Sequence, residues 1–209
     1  MERLTQIALV RHGETVWNRE RRYQGHADSA LTPKGRNQTL VLGEWLASHG
    51  FDAIYSSDLP RAVRSAELIR RFLPAELRVD SRLRERHLGV LQGLTATDAS
   101  DRHPDAVHAY RSADPDVRIP GGESRREHYD RIVSVLGFFA ASRGSNRILI
   151  VTHGGSIRCV ACLLGVRSLA DSTVTPIPNS GPPLQAVFRT VWEPTTFLSP
   201  QSPTDSREP

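Results

Sequence analysis

Two His-Gly pairs, His12-Gly13 and His153-Gly154, each follow a short run that reads as a strand. The first run, Ile7 to Val10, stops at Arg11, and the second, Arg147 to Thr152, stops at His153. Each is long enough for one buried strand. A neutral imidazole nitrogen is a competent nucleophile near neutral pH, and the arginine fork matches phosphoryl oxygens two at a time. A third strand-like run, Asp52 to Ser57, is followed by Arg61 in the first turn of an expected helix. There a cation opposes the helix dipole, which argues against a purely structural role. In an open α/β sheet, ligands bind beyond the carboxyl ends of the strands. If these three ends share one crevice, it holds Arg11, His12, Arg61 and His153. A phosphoryl group is the anion that suits such a set best.

The elements between these residues must alternate for the crevice to form. Thr32-Pro33 starts a helix that runs to about His49 and is stopped by Gly50, with Thr32 as N-cap and Pro33 at the first helical position. Residues 58–72 read as an amphipathic helix, 77–79 as a short strand, and 83–95 as a loop rich in charge and glycine. A polar stretch, 95–120, carries Pro104, Pro115 and Pro120 and reads as a small helical insertion placed to act as a lid. A helix over 124–142, ended by Gly144 and Ser145, precedes the 147–152 strand. An apolar helix over 157–166 and a last strand over 184–191 complete the pattern. Strands alternating with helices predict a three-layer α/β fold with a mainly parallel central sheet and helices on both faces. The expected organisation is one domain over 1–192 and a disordered Pro/Ser/Thr-rich tail over 193–209.

Composition narrows the function classes. The chain has 209 residues, a hydrophobic fraction of 38% and a charged fraction of 24%, which is ordinary for a globular protein. A net charge of +4 raises the question of nucleic acid, but no run of five basic residues occurs, and with 6% aromatics no stacking platform for bases is visible. Nucleic-acid binding is therefore not expected. No apolar run approaches the roughly 20 residues of a membrane span. The expectation is a cytoplasmic protein without membrane contact. Cys159 and Cys162 form a Cys-x-x-Cys inside the apolar 157–166 segment, with no second ligand pair elsewhere, and read as two core thiols.

Six blocks, taken together, carry a resemblance. They are Leu9-Val10-Arg11-His12-Gly13-Glu14-Thr15 with Asn18, Gln24-Gly25-His26-Ala27-Asp28-Ser29-Ala30-Leu31-Thr32, Ser56-Ser57-Asp58-Leu59 with Arg61-Ala62, Leu83-Arg84-Glu85 with Gly89, Gly121-Gly122-Glu123-Ser124, and Thr152-His153-Gly154-Gly155. In this order they resemble the histidine phosphatase superfamily, also called the phosphoglycerate mutase-like family. The resemblance implies that His12 attacks phosphorus and that Arg11, Arg61 and His153 hold the phosphoryl oxygens. It makes Glu85 the general acid, while Asn18, Gln24, Gly25, Gly154 and Gly155 complete the phosphate shell. It implies no metal and no cofactor. A general acid must be partly protonated near neutral pH, so the Glu85 pKa is expected to be raised by burial or by the phosphate. The bland outcome for Glu85 is a solvated ion pair with Arg82, Arg84 or Arg86. His26, His49, His103, His108 and His128 share no spacing and read as surface residues. For Arg19, Arg21 and Arg22 a solvated face is the default, with contact to a second anionic group the alternative.

Residues 83–94 are similar to the mutase branch of that family, but Leu88 stands where a tyrosine is usual, and 95–100 lacks the lysine that mutases place after this block. A phosphomonoesterase acting on a small phosphate ester, with selectivity set by 86–120, is the expected activity. A 2,3-bisphosphoglycerate-dependent mutase is the alternative. A protein phosphatase, or a non-catalytic protein that binds phosphorylated ligands, is a further one. Oligomeric state stays open, a homodimer included.

Overall fold

Two runs of alternating side chains set the three layers. In β1 (Leu4–Arg11) and β4 (Arg147–Thr152), Ile7, Leu9, Ile148 and Ile150 pack to one side, while Ala8, Val10, Leu149 and Val151 pack to the other, all of them buried. Strands covered on both faces read as continuous apolar runs, which is why periodicity was silent about direction and length alone marked them. The computed structural model describes residues 4–141, 147–170, 177–189 and 194–198. On the first face, α6 (Arg125–Ala141) and α7 (Gly154–Leu163) contribute Ile132, Val135, Leu136, Phe139, Ile157 and Val160. On the second, α2 (Pro33–Leu46) and α3 (Pro60–Arg70) contribute Leu42, Leu46, Ala66 and Ile69.

The sheet order is β3-β2-β4-β1-β5-β6, with β2 at Ala53–Ser56, β3 at Glu76–Val79, β5 at Leu184–Arg189 and β6 at Pro194–Leu198. The first four strands are parallel, and β5 and β6 are antiparallel additions. The fold is thus the mainly parallel three-layer architecture expected from the sequence. Its register matters for function. Arg11 lies opposite Thr152 and Ser56 opposite Val151, so three strands end at one edge. The backbone continues the ladder one step further, with His12 N–H donating to Thr152 O at 3.0 Å and Ser57 N–H to Val151 O at 3.0 Å.

Local signals placed most boundaries, starting with the short helix α1 (Val16–Arg19), whose first turn Thr15 caps. Thr32 Oγ1 accepts from Gly35 N–H at 2.9 Å with Pro33 behind it, and Gly50 closes the helical stretch in the left-handed region at φ 61°. The apolar pattern pointed to a helix from Ile157, but α7 begins at Gly154, directly after His153. Glycine hides that first turn from a hydrophobicity reading. The 95–120 insertion forms α4 (Ala96–Arg102) and α5 (Pro104–Arg111), whose Ala99, Ala106 and Val107 close a separate apolar cluster with Leu88, Leu91 and Ile119. The expectation of a disordered tail fails for 194–198, which pair with β5 as an edge strand. An open edge of β5 presents unpaired backbone groups that such a strand satisfies. The rest of 193–209, Gly144 and Ser145, and the end of the 184–191 strand at 190–191 lie outside the described residues.

The insertion joins the body where Gly89 meets the 120–122 turn. Gly89 has φ +52°, and a Cβ there would run into Pro120 O and the backbone of Gly121 and Gly122. Gly89→Ala is expected to lower stability by about 1 kcal/mol or more, read from chemical unfolding, because both the dihedral and the space reject it.

Candidate active site

His12 leaves the end of β1 and is 2% exposed, with the ring fixed by its own backbone. Its Nδ1 lies 2.8 Å from Gly13 O, and a carbonyl only accepts, so Nδ1 carries the proton. The lone pair is therefore on Nε2, which accepts from Arg61 Nε at 3.3 Å. Burial, then the charges of Arg61 and Arg11, push the His12 pKa well below its usual value. At neutral pH the ring is an unprotonated base aimed at the Arg61 side. Gly13 N–H donates to Ser65 Oγ, and Asn179 Nδ2 donates to His12 O at 2.9 Å and to Asn18 Oδ1 at 3.1 Å.

Arg61 is as buried as a core side chain, 2% exposed. Its Nη1 donates to Ala27 O at 2.8 Å and to Asp28 Oδ1 at 3.1 Å, and its Nη2 to Gly25 O at 2.7 Å. Asp28 also accepts from Arg61 N–H, so one carboxylate answers both the cation and the exposed amide of the α3 first turn. Arg11 Nη1 donates to Ile177 O at 2.6 Å, and burial lowers the Arg11 pKa to about 10, which leaves the group charged at neutral pH.

Glu85 is held by backbone, not by the arginines beside it in sequence. Oε2 accepts from Gly155 N–H at 2.8 Å, in the first turn of α7, and Oε1 accepts from Arg86 N–H at 2.9 Å. Arg82 pairs with Asp80, Arg84 with Asp58, and Arg86 Nε donates to Glu123 O. The solvated ion pair therefore does not form. The expectation that burial leaves the Glu85 pKa raised is also corrected for the empty site. Burial raises it, but the electrostatic influence of His128, the Arg158 charge and the two backbone N–H groups outweigh burial, and the carboxyl sits below its usual value. Carboxylates that accept several N–H bonds are stabilised as anions.

His128 is not a surface residue: it is 3% exposed and its Nε2 is 3.9 Å from Glu85 Oε1. Ser156 Oγ donates to Arg84 O at 3.2 Å, so the 3.2 Å contact from His128 Nε2 to Ser156 Oγ carries the imidazole proton. His128 Nδ1 then accepts from the Cys159 thiol at 3.7 Å, and burial raises the Cys159 pKa so that the thiol keeps its proton. Burial lowers the His128 pKa to about 4. The sequence did hold a signal for this residue, since His128 lies four positions before Ile132 on the apolar face of α6. His26 is also half-buried, with Nε2 2.8 Å from Glu85 O.

These residues open on a cavity of about 250 Å³. Arg11, His12, Asn18, Gln24, Gly25, Arg61, Glu85 and Gly155 all line it. His153 and Gly154 stand behind, with the His153 ring fully buried and edge-on to His12 at 5.2 Å. Of the arginines at 19–22, Arg19 and Arg21 are exposed and only Arg22 reaches the cavity. Sequence reasoning missed Tyr110, Arg125 and Arg158 in the wall. Cys159 is buried as expected, whereas Cys162 is half-buried and reaches the wall as well. Among the described residues no helix is long and apolar enough to cross a membrane.

Known proteins share the family and the fold. Residues 7–181 match the family model of the histidine phosphatase superfamily (branch 1). The chain is 40% identical over 169 residues to a protein of Salmonella paratyphi B named probable phosphoglycerate mutase GpmB, covering 80% of this chain and 79% of that one. It is similar in structure to a mycobacterial glucosyl-3-phosphoglycerate phosphatase solved with VO3, with a TM-score of 0.75, 33% identity and coverage of 88% and 92%. A phosphoglycerate mutase from Bacillus anthracis aligns with a TM-score of 0.72, 25% identity and 93% coverage of each chain.

Two outcomes test the geometry. A Cβ on Gly155 would overlap the Glu85 carboxylate, so Gly155→Ala is expected to reduce turnover of a phosphate ester sharply while the protein stays folded, checked by initial rates and circular dichroism. The second concerns pH. Unfolded histidine binds a proton near pH 6.5, whereas folded His128 does so only near 4, so folding expels a proton between these values. Stability is therefore full above about pH 6.5 and falls as pH drops toward 4. His12 and His153, whose pKa values are also lowered, add to the loss with the same sign. Comparing melts at about pH 7.5 and about pH 5, His128→Leu should show an acid-induced loss smaller by roughly 2 kcal/mol than wild type. Equal acid sensitivity would contradict the buried neutral imidazole.

Proposed function

Since the chain belongs to branch 1 of the histidine phosphatase superfamily, we propose that it is a metal-independent phosphomonoesterase that forms a phosphohistidine on His12 and acts on a small phosphorylated metabolite. The observation that carries this reading is the fixed tautomer of His12, with Nδ1–H on Gly13 O and the Nε2 lone pair beside Arg61 at the cavity wall. Nε2 attacks phosphorus, the bond to the ester oxygen breaks, and the leaving alkoxide takes a proton from Glu85. Water then attacks the phosphohistidine, the Glu85 carboxylate takes its proton, and Nε2 departs with its lone pair restored. Arg11, Arg61 and His153 stabilise charge on the phosphoryl oxygens through a loose transition state, and Asn18, Gln24, Gly25, Gly154 and Gly155 complete the shell.

Glu85 starts as a carboxylate, so the first half-reaction needs a proton to arrive with the substrate. A phosphoryl dianion beside it raises its pKa, and a like charge does so more strongly in a buried site. Binding and protonation are thereby coupled. The name carried by the Salmonella relative favours a second reading, a phosphoglycerate mutase. The two separate on the fate of the phosphoryl group: incubation with 3-phosphoglycerate and a trace of 2,3-bisphosphoglycerate should release phosphate faster than it forms 2-phosphoglycerate, and the reverse order would select the mutase.

Hydrolysis of p-nitrophenyl phosphate should be insensitive to EDTA and fall by on the order of a thousandfold or more in His12→Ala, as for loss of a nucleophile. Glu85→Gln should lower kcat/KM, which reports the first half-reaction, by roughly a hundredfold or more for an alkyl phosphate and far less for p-nitrophenyl phosphate, because nitrophenolate leaves without a proton. Activity retained by His12→Ala would exclude the phosphohistidine.

A further inference from the structure

We propose that His128 is a positioning residue for Glu85: its Nε2–H, fixed by the Cys159 thiol on the far side of the ring, holds the Glu85 carboxylate ionised before substrate binds and again once the leaving group has taken the proton. The role rests on the reading above, in which Glu85 acts first as acid and then as base.

A neutral imidazole carries its one proton on either nitrogen, and the neighbours decide which. His128 is buried on α6 and reaches the cavity wall. Its Nδ1 lies 3.7 Å from Cys159 Sγ, and its Nε2 lies 3.2 Å from Ser156 Oγ and 3.9 Å from Glu85 Oε1. Ser156 spends its own proton on Arg84 O, and the Cys159 thiol keeps its proton in a buried position close to the Glu85 charge. Both neighbours therefore select one tautomer, in which Nδ1 accepts and Nε2 donates. The nitrogen that carries the proton is the one at 3.9 Å from the carboxylate.

Glu85 has room for this donor. Oε1 accepts from Arg86 N–H and Oε2 from Gly155 N–H, and a carboxylate oxygen accepts two bonds. A shift of about 1 Å turns the 3.9 Å approach into a hydrogen bond. A neutral N–H favours the carboxylate without adding net charge to a cationic cavity, whereas an imidazolium is opposed there by burial and by Arg131 and Arg86.

Other groups act on Glu85 from the elements around it. Arg11 at the end of β1, Arg61 on α3, Arg158 on α7 and Arg86 in its own segment are cations, while Tyr110 on α5 and Cys159 are neutral acids. His128 itself faces Glu123, Arg86 and Arg131, and its influence extends to His153. What separates His128 from Arg11 and Arg61 is that a bound phosphoryl group engages those cations and weakens their hold on Glu85. His128 is tied to Cys159 and Ser156 instead, so its N–H serves Glu85 throughout the cycle.

The test reads Glu85 directly. In protein labelled with carbon-13 at the glutamate carboxyls and saturated with sulfate, the Glu85 resonance is the one missing from Glu85→Gln, and it is titrated between about pH 5.5 and 8.5. His128→Leu should raise the midpoint by roughly one pH unit. His128→Gln, whose amide N–H reaches the Nε2 position, should restore most of that shift, and Cys159→Ala, which frees the tautomer, should reproduce part of it. The acidic arm of the kcat profile for p-nitrophenyl phosphate should move with the midpoint, whereas a merely structural role lowers kcat equally at every pH. A midpoint, or an absence of titration, that is the same in wild type, His128→Leu and Cys159→Ala overturns the proposal. If His128→Leu does not fold, Cys159→Ala decides it against wild type: a raised midpoint supports the positioning role and an unchanged one overturns it. Failure of the acid-base reading shows separately, as alkyl phosphate hydrolysis that survives in Glu85→Gln.

Discussion

A buried imidazole between two guanidinium groups is the constraint on which the site depends. His12 is almost fully buried, which disfavours a proton on its ring, and Arg11 and Arg61 repel one, so the ring stays neutral. The Gly13 carbonyl then decides which nitrogen keeps the single proton. Every other feature serves to hold that arrangement: Asp28 and two carbonyls orient Arg61, Ser65 receives the Gly13 amide, and Asn179 ties the His12 carbonyl to Asn18. Such pre-set polarity is the form in which electrostatic catalysis is stored in a fold.

Glu85 shows the same economy with the opposite sign. Two amides, one from the α7 first turn, make a carboxylate comfortable in a place where burial alone would protonate it. The residues around it are immobilised through their carbonyls: Arg131 donates to Arg82 O, Arg84 O and Glu85 O, and Thr152 Oγ1 to Leu83 O. The chain Cys159 to His128 to Ser156 to Arg84 O adds a directed line of hydrogen bonds behind the carboxylate. A rigid, ionised Glu85 gains its proton only when negative charge comes close. In the proposed mechanism, acid catalysis by Glu85 is thereby tied to occupancy of the site.

What the sequence made legible follows from local physics. Strand length, proline at N1 and glycine stops mark most elements, and a sheet with helices on both faces follows from their alternation. The His-Gly pairs and Arg61 stood out because cations and imidazoles at strand ends and helix starts oppose the ordinary rules of burial and dipole. His128 was misplaced because a polar residue on an apolar helix face was judged by its type and not by its i+4 neighbour, Ile132. The start of α7 was missed because glycines carry no hydrophobic signal.

By itself, then, the amino-acid sequence determined the layer architecture and part of the charged set at the crevice, Arg11, His12 and Arg61, since these are marked by signals within a few residues, while Arg125 and Arg158 are not. Only the tertiary structure decided their protonation and their company. A pKa depends on burial and on charges brought from distant segments, which is why Glu85 is lowered where burial alone would raise it. The presence of Arg86 and Arg125 in one cavity wall is equally a product of folding, which gathers residues separated by a whole insertion around one cavity. The opening pair Arg11-His12 gained its meaning from the parallel register that sets Thr152 beside Arg11.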